Sequence, residues 1–94
     1  MIIVSGRIYV IPGRRDGFVA TSRDAVVQAR RAPGCLDFVV AADPVEPDRV
    51  NVYESWDTEE ALEAFRGEGP DSDLGSDIVR ADVSRYQVSS SGPA

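Results

Sequence analysis

The clearest pattern in this chain is an alternation of apolar and polar residues that changes into a helical repeat at Asp57. Before that residue, one side of the segment carries two valines, a glutamate and the single tryptophan, namely Val50, Val52, Glu54 and Trp56. A period of two predicts a β-strand. After it, apolar residues from Ala61 to Phe65 recur at helical spacing, and Asp57 is the predicted cap, with Glu60 bonding back to it. The sequence therefore predicts a strand that turns directly into a short acidic helix.

The remaining apolar patterns predict three further strands and one further helix. The four strands are expected at residues 2–11, 35–42, 49–56 and 81–88. The first helix carries an apolar stripe from Phe18 to Ala29 and stops at Pro33-Gly34, and the second covers about residues 58–66. Between the second helix and the last strand lies an acidic loop at 67–77 with one helical turn near Leu74. The order βαββαβ predicts a four-stranded antiparallel sheet with both helices on one face, the ferredoxin-like α+β sandwich.

Length and patterning indicate a single domain at residues 1–88, followed by a flexible C-terminal tail at 89–94. The second strand is apolar on both sides, with Phe38 and Val40 facing one way and Val39 and Ala41 the other. Two helices cover only one face of a sheet. We therefore expect a homodimer in which the sheet of a second copy covers the other face.

Composition excludes several kinds of chemistry. The chain has no histidine, its ten basic residues are all arginine, and Cys35 is its one cysteine. Without histidine it lacks the commonest general base and metal ligand, and without lysine it cannot form a Schiff base. Serine and cysteine nucleophiles lack a histidine partner, which excludes the usual triads. We expect no metal, haem or flavin, and hence no cofactor.

Net charge and hydropathy limit the classes of partner that this chain can bind. A net charge of −6 repels nucleic acid phosphates, and the strand motif of RNA-recognition domains does not occur. No apolar run approaches the length of a membrane-spanning helix, and the N-terminal residues do not have the pattern of a signal peptide. A single cysteine cannot form an internal disulfide. We expect a cytoplasmic protein that binds neither nucleic acid nor membrane.

Three segments together resemble the antibiotic biosynthesis monooxygenase superfamily. They are the opening strand into Pro12-Gly13, the run Arg-Arg-Ala-Pro-Gly-Cys at 30–35, and the Glu-Ser-Trp-Asp-Thr-Glu-Glu-Ala-Leu-Glu-Ala-Phe segment at 54–65. The resemblance covers about residues 2–88. It implies a dimeric α+β barrel with a ligand cavity between sheet and helices. For the oxygenase members it also implies oxidation of electron-rich aromatic polyketides or quinols with O₂, without metal or flavin.

The chain departs from that family at positions that matter for chemistry. Phe65 stands where many members carry a histidine late in the second helix, and the haem-degrading branch needs a histidine that this chain lacks. Some quinone-forming members place a tyrosine in the second helix, and none occurs here. These departures exclude haem chemistry and favour the alternative of a non-catalytic, dimeric small-molecule-binding or accessory protein.

The resemblance and the residue types together give the candidate catalytic residues. Asn51 would orient a substrate carbonyl, Trp56 would pack against the ring, and Arg85 would stabilise an anion. Trp56 could instead anchor the strand-to-helix corner, and Asn51 could face a dimer partner or solvent. Arg85 could instead pair with a carboxylate such as Asp37 or Glu54. No residue is an obvious general base.

The candidate substrate-binding residues are aromatic: Tyr53, Tyr86 and Phe65. Core or interface packing is the alternative for the two tyrosines. Asn51 and Trp56 are five residues apart, which places them on opposite faces of an ideal strand. A bulge between Tyr53 and Trp56 would bring them together. We therefore predict a cavity between sheet and helices bordered by Trp56 and by Asn51 or Tyr53, provided that such a bulge exists.

Overall fold

The computed structural model describes residues 1–68 and 74–94, and there the predicted order βαββαβ is confirmed. The strands and helices are, in chain order, β1 Ile2–Val10, α1 Arg15–Arg31, β2 Cys35–Ala42, β3 Arg49–Trp56, α2 Glu59–Glu68 and β4 Ile78–Gln87. A 3₁₀ turn at Leu74–Asp77 leads into β4, and residues 69–73 of the predicted acidic loop lie outside the described residues. Neither helix in the described part of the chain is long and apolar enough to cross a membrane.

The strands form one sheet in the order β2-β3-β1-β4, with antiparallel neighbours throughout. This is the order of the ferredoxin-like sandwich, so the predicted fold is confirmed. Strand β4 begins at Ile78, three residues before the predicted start, because Ile78 pairs with Val10 after a register shift at the end of β1. The two central strands, β1 and β3, therefore carry most of the core.

Period-two alternation decides which side chains each central strand buries. On β1, Ile2, Val4 and Val10 face the helices, and on β3 Val50 and Trp56 do so, each with 3% or less of its surface exposed. They belong to two clusters. One gathers around Trp56 and Leu62 under α2, and the other around Phe18 and Val50 under α1. The core thus has two centres on one face of the sheet.

The corner between β3 and α2 is fixed by Gly34 and Thr58. The backbone N–H of Asp57 donates to the carbonyl of Gly34 at 2.8 Å. The Thr58 hydroxyl oxygen accepts from the backbone N–H of Ala61 at 3.1 Å, so Thr58 and not the predicted Asp57 caps α2. The prediction was wrong by one residue, because the chain at Asp57 is still bonded to Gly34 and α2 begins at Glu59. Gly34 has φ +82°, and a Cβ there would lie 2.5 Å from the Cβ of Ala61.

Replacement of Gly34 by alanine should destabilise the protein more than the same change at Gly13. Both glycines have left-handed φ, at +82° and +84°, but nothing lies within 4 Å of a Cβ at Gly13. The left-handed conformation alone costs about 1–2 kcal/mol, and forced overpacking adds about 1–3 kcal/mol. In urea unfolding we expect Gly13→Ala to lose about 1–2 kcal/mol and Gly34→Ala about 2–5 kcal/mol. Equal losses would show that the contact with Ala61 is unimportant.

Candidate functional site

A cavity of about 260 Å³ lies between the sheet and the helices. Its walls are mostly apolar side chains from the strands and α1, among them Val4, Ile8, Phe18, Phe38, Val52 and Val83. Three residues with polar groups also line it: Ser22, Glu54 and Arg66. The Ser22 hydroxyl donates to the carbonyl of Val19 at 2.7 Å. That leaves the two charged side chains as the groups able to bind a ligand strongly.

Glu54 reaches the cavity because it shares the helix-facing side of β3 with Val52 and Trp56. Its neighbours across the sheet are Val4 on β1 and Phe38 on β2, both apolar. A carboxylate in such surroundings needs a hydrogen-bond donor to offset its desolvation. The Trp56 indole supplies one, donating from Nε1 to Oε1 at 3.0 Å. The other oxygen, Oε2, has no protein donor among the described residues, so it can accept a hydrogen bond from a ligand.

Trp56 lies at the corner of the fold and does not line this cavity in the described part of the chain. It is fully buried and packs against the Phe65 ring, with centroids 5.4 Å apart and a 32° tilt. Phe65 in turn meets the ring of Phe38 edge-on at 6.0 Å. Both predicted site residues, Trp56 and Phe65, therefore belong to the aromatic cluster behind the cavity. Trp56 acts on the cavity through its hydrogen bond to Glu54.

Asn51 lies on the opposite face, in a network at the β2–β3 turn. Its Oδ1 accepts from Arg49 Nε at 2.7 Å, and its Nδ2 donates to Asp43 Oδ1 at 2.9 Å. Asp43 Oδ2 accepts the backbone N–H groups of Val45 and Glu46, at 3.0 and 2.8 Å. The Glu46 N–H, the Asn51 amide and the Val45 N–H together lower the pKa of Asp43 to about 2. In this position Asn51 holds the turn together.

The bulge that would unite Asn51, Tyr53 and Trp56 does not occur in β3. The pairing of β3 with β1 runs without interruption from Ile2 opposite Trp56 to Tyr9 opposite Arg49. The irregularity is in β2, where the register shifts between Cys35 and Asp37. Asn51 and Tyr53 therefore line a groove of about 410 Å³ on the face away from the helices. The predicted combination of these residues with Trp56 in one cavity is wrong because the extra residue lies in the neighbouring strand.

Tyr86 lies on that same open face, opposite Ile3 of β1, and 53% of its surface is exposed. It borders neither the cavity nor the Asn51 groove among the described residues. The structure thus divides the six predicted site residues among an aromatic cluster, an open sheet face and, for Arg85, a pair of bonds between β4 and α2.

Arg85 pairs with carboxylates, the alternative that the sequence left open, but these are two glutamates of α2 and not Asp37 or Glu54. Its Nη1 donates to Glu59 Oε1 at 2.6 Å and its Nη2 to Glu63 Oε1 at 2.7 Å. Glu63 and Glu59, one helical turn apart, raise the pKa of the guanidinium. Glu59 and Glu63 are the partners because α2 brings its acidic side alongside β4. Arg85 thus ties α2 to the edge strand.

Sequence reasoning missed Glu54 and Arg66 as site residues. The signal for Glu54 was present: it is a carboxylate on the same side of β3 as two valines and the tryptophan. Cys35, close to Glu54, is a poor nucleophile, because burial and the Glu54 and Asp37 carboxylates raise the pKa of its thiol. Within residues 1–68 and 74–94, no group of three histidine, cysteine or acidic residues could hold a metal ion.

The Asp43 network should make folding stability sensitive to acid. The pKa of Asp43 is about 2 when folded, against roughly 3.9 in an unfolded chain. Its contribution is therefore fully present above about pH 5 and is lost as the pH falls through about 4 toward 2. In urea titrations, the stability difference between wild type and Asp43→Asn should be constant above pH 5 and shrink below pH 4. Asp24→Asn, at an exposed helix position, is the control. A difference independent of pH would contradict the assignment.

Comparison with known proteins places these features in a family. The family model described as antibiotic biosynthesis monooxygenase matches residues 1–70. An uncharacterized Synechocystis protein, sll1783, is 31% identical over 62 residues, which cover 66% of this chain and 42% of that protein. The chain therefore spans less than half the length of this relative.

Solved structures share the fold over nearly the whole chain. A candidate antibiotic biosynthesis monooxygenase of Chloroflexus aurantiacus is 26% identical, with a TM-score of 0.74 and coverage of 97% of this chain and 96% of its own. Rv0793 of Mycobacterium tuberculosis has a TM-score of 0.80 at 17% identity, covering 98% of each chain. At 17% identity, the likeness to Rv0793 concerns the fold alone. The family match over residues 1–70 shows that the chain belongs to the antibiotic biosynthesis monooxygenase family.

Proposed function

We propose that this protein is a cofactor-independent monooxygenase that oxidises a small, electron-rich hydroxylated aromatic compound with O₂. The observation that carries the proposal is the Glu54 carboxylate, held by the Trp56 indole in the wall of an otherwise apolar cavity. The apolar walls suit an aromatic ring. The free oxygen of Glu54 suits a ring hydroxyl, which can donate a hydrogen bond to it.

The size of the cavity limits the substrate. Pockets for drug-sized ligands hold roughly 300–1,000 Å³, and this one holds about 260 Å³. A compound of one or two rings suits that volume better than an extended polyketide. A quinol such as 1,4-dihydroxynaphthalene combines a suitable size, two hydroxyl groups and a ring that gives up an electron easily.

In the proposed reaction Glu54 is the proton acceptor. Transfer of one electron to O₂ makes the ring hydroxyl strongly acidic, so a carboxylate is a sufficient base for the proton. The resulting semiquinone and reduced oxygen, which takes up that proton, combine through a new bond between a ring carbon and oxygen. The O–O bond then breaks, and one oxygen atom leaves as water with two hydrogens of the substrate. Overall, quinol and O₂ give hydroxyquinone and water, which balances all atoms and electrons.

The protein groups around this reaction have separate tasks. Trp56 fixes the orientation of the Glu54 carboxylate through the 3.0 Å hydrogen bond. The apolar walls exclude water, which strengthens that interaction and protects the radical pair. Arg85 is a positioning residue, because it holds α2 against β4 through Glu59 and Glu63 and touches no substrate.

A non-catalytic binding or accessory protein is the second candidate. The uninterrupted pairing of β3 favours it, because that pairing keeps Asn51 and Tyr53 on the far face of the sheet. The cavity then holds a ligand through Glu54 without oxidising it. The two candidates share the binding site and differ in turnover.

Replacement of Glu54 by glutamine should separate these candidates. General-base catalysis contributes about 10²- to 10⁴-fold, so we expect Glu54→Gln to lower kcat for 1,4-dihydroxynaphthalene at least ~100-fold. The measurement is O₂ uptake with ¹⁸O₂, in which one labelled atom enters the hydroxyquinone. Addition of catalase identifies any peroxide-forming autoxidation.

Glu60→Gln is the matched control, since Glu60 is an exposed carboxylate of α2 outside the cavity. It should retain wild-type turnover. Binding without enzyme-dependent oxygen incorporation would support the accessory protein. Equal turnover in wild type and Glu54→Gln would remove Glu54 from the mechanism.

The open face of the sheet supports a homodimer as the working form. Its groove combines Val39, Ala41 and Tyr53, and Ile3 lies on the same face beside Tyr86. Burial of these side chains against a second sheet would stabilise both copies.

Sedimentation equilibrium should give about twice the 10.2 kDa mass of the chain. Tyr53→Asp should shift the protein toward monomer, because it would bury a charge at the contact. Val45→Asp, in the exposed turn, is the control and should remain dimeric. A wild-type monomer at micromolar concentration would contradict the dimer.

A further inference from the structure

Most arginines of this chain have a partner, which makes the exceptions informative. Five form ion pairs with Asp or Glu: Arg7, Arg15, Arg23, Arg49 and Arg85. Arg30 donates to the carbonyl of Phe38, and Arg80 lies over the Tyr9 ring. In the part of the chain that the structure describes, three guanidinium groups have no such partner: Arg14, Arg31 and Arg66.

Among these three, Arg66 lines the cavity that contains Glu54. It lies in the last turn of α2 and is exposed, so it is the more solvent-accessible of the two charged residues that line the cavity. Glu54 is half-buried within the sheet. The cavity therefore combines a half-buried hydrogen-bond acceptor, apolar walls and an exposed, available cation.

We infer that the ligand of this cavity is an aromatic compound with a hydroxyl group at one end and an anionic group, such as a carboxylate, at the other. The inference rests on the proposed function and adds the charge of the substrate. The hydroxyl donates to Glu54, and the anion accepts from the forked N–H groups of Arg66, which match a carboxylate in geometry. An anion near Glu54 itself would be repelled, so the two groups also set the direction in which the ligand enters.

The position of Arg66 matters because the protein as a whole is acidic and its inferred ligand is an anion. With a net charge of −6, the chain as a whole repels anions. A local guanidinium at the entrance offsets that repulsion at one place. Selection of an anionic ligand by Arg66 is therefore a property of the cavity mouth, and added salt should weaken it.

Equilibrium dialysis with 2-naphthol and 6-hydroxy-2-naphthoate tests the inference. Wild type should bind the carboxylate about fivefold more tightly than the neutral naphthol, a modest gain because the guanidinium is open to water. Arg66→Gln should remove this preference. Arg66→Lys should keep part of it. Arg31→Gln, which removes an equally unpaired arginine outside the cavity, should leave the preference as in wild type.

Each other outcome overturns the inference in an identifiable way. Equal binding of both naphthols by wild type, or a preference that survives Arg66→Gln, would refute the role of Arg66 while leaving the proposed function intact. Tighter binding of a naphthol carrying an ammonium group would show that Glu54 sets the charge preference. Failure of wild type to bind any of them would reject the cavity as the ligand site, and the inference with it. Circular dichroism of each variant confirms that it is folded.

Discussion

The hydrogen bond from the Trp56 indole to Glu54 is the interaction on which the site depends. It joins a residue of the aromatic cluster, under α2, to a residue of the cavity wall. Without a donor, a carboxylate between Val4 and Phe38 would be costly to bury. With it, the strand can present a charged group on the same side as its valines. Core packing and binding chemistry are therefore linked at one position of β3.

The unbroken period of β3 explains why that linkage is possible. Residues two apart on a strand share a face, so Glu54 and Trp56 can bond directly only while the strand remains regular. The structure places the bulge in β2, next to Cys35, where it leaves β3 undisturbed. The same regularity places Asn51 on the other face, where it fixes the turn with Asp43 and Arg49.

The fold could be predicted from the sequence because its signals are local. Alternation over residues 49–56, the Pro33-Gly34 stop and the helical repeat after Trp56 each specify one element, and together they specify the sandwich. The bounds of β3 follow from the same alternation. The Thr58 cap was missed because both Asp57 and Thr58 are good cap residues. The choice between them depends on a hydrogen bond to Gly34, which is distant in sequence.

The site was less predictable because its members meet through tertiary contacts. The partners of Arg85 depend on where α2 crosses β4, and no periodicity within either element gives that crossing. The face on which Asn51 lies depends on whether β3 contains a bulge. The sequence of β3 does not show that the bulge lies in β2 instead. Glu54 was also missed, although its parity alone placed a carboxylate among apolar residues.

The position of Trp56 also gives the protein an intrinsic optical signal. Trp56 is the single tryptophan of the chain and is fully buried, so all indole emission comes from one environment. Its N–H is bonded to the carboxylate that faces the cavity. A molecule that donates a hydrogen bond to the second oxygen of Glu54 changes the electric field at the indole. The emission spectrum of the unlabelled protein therefore reports whether the cavity is occupied.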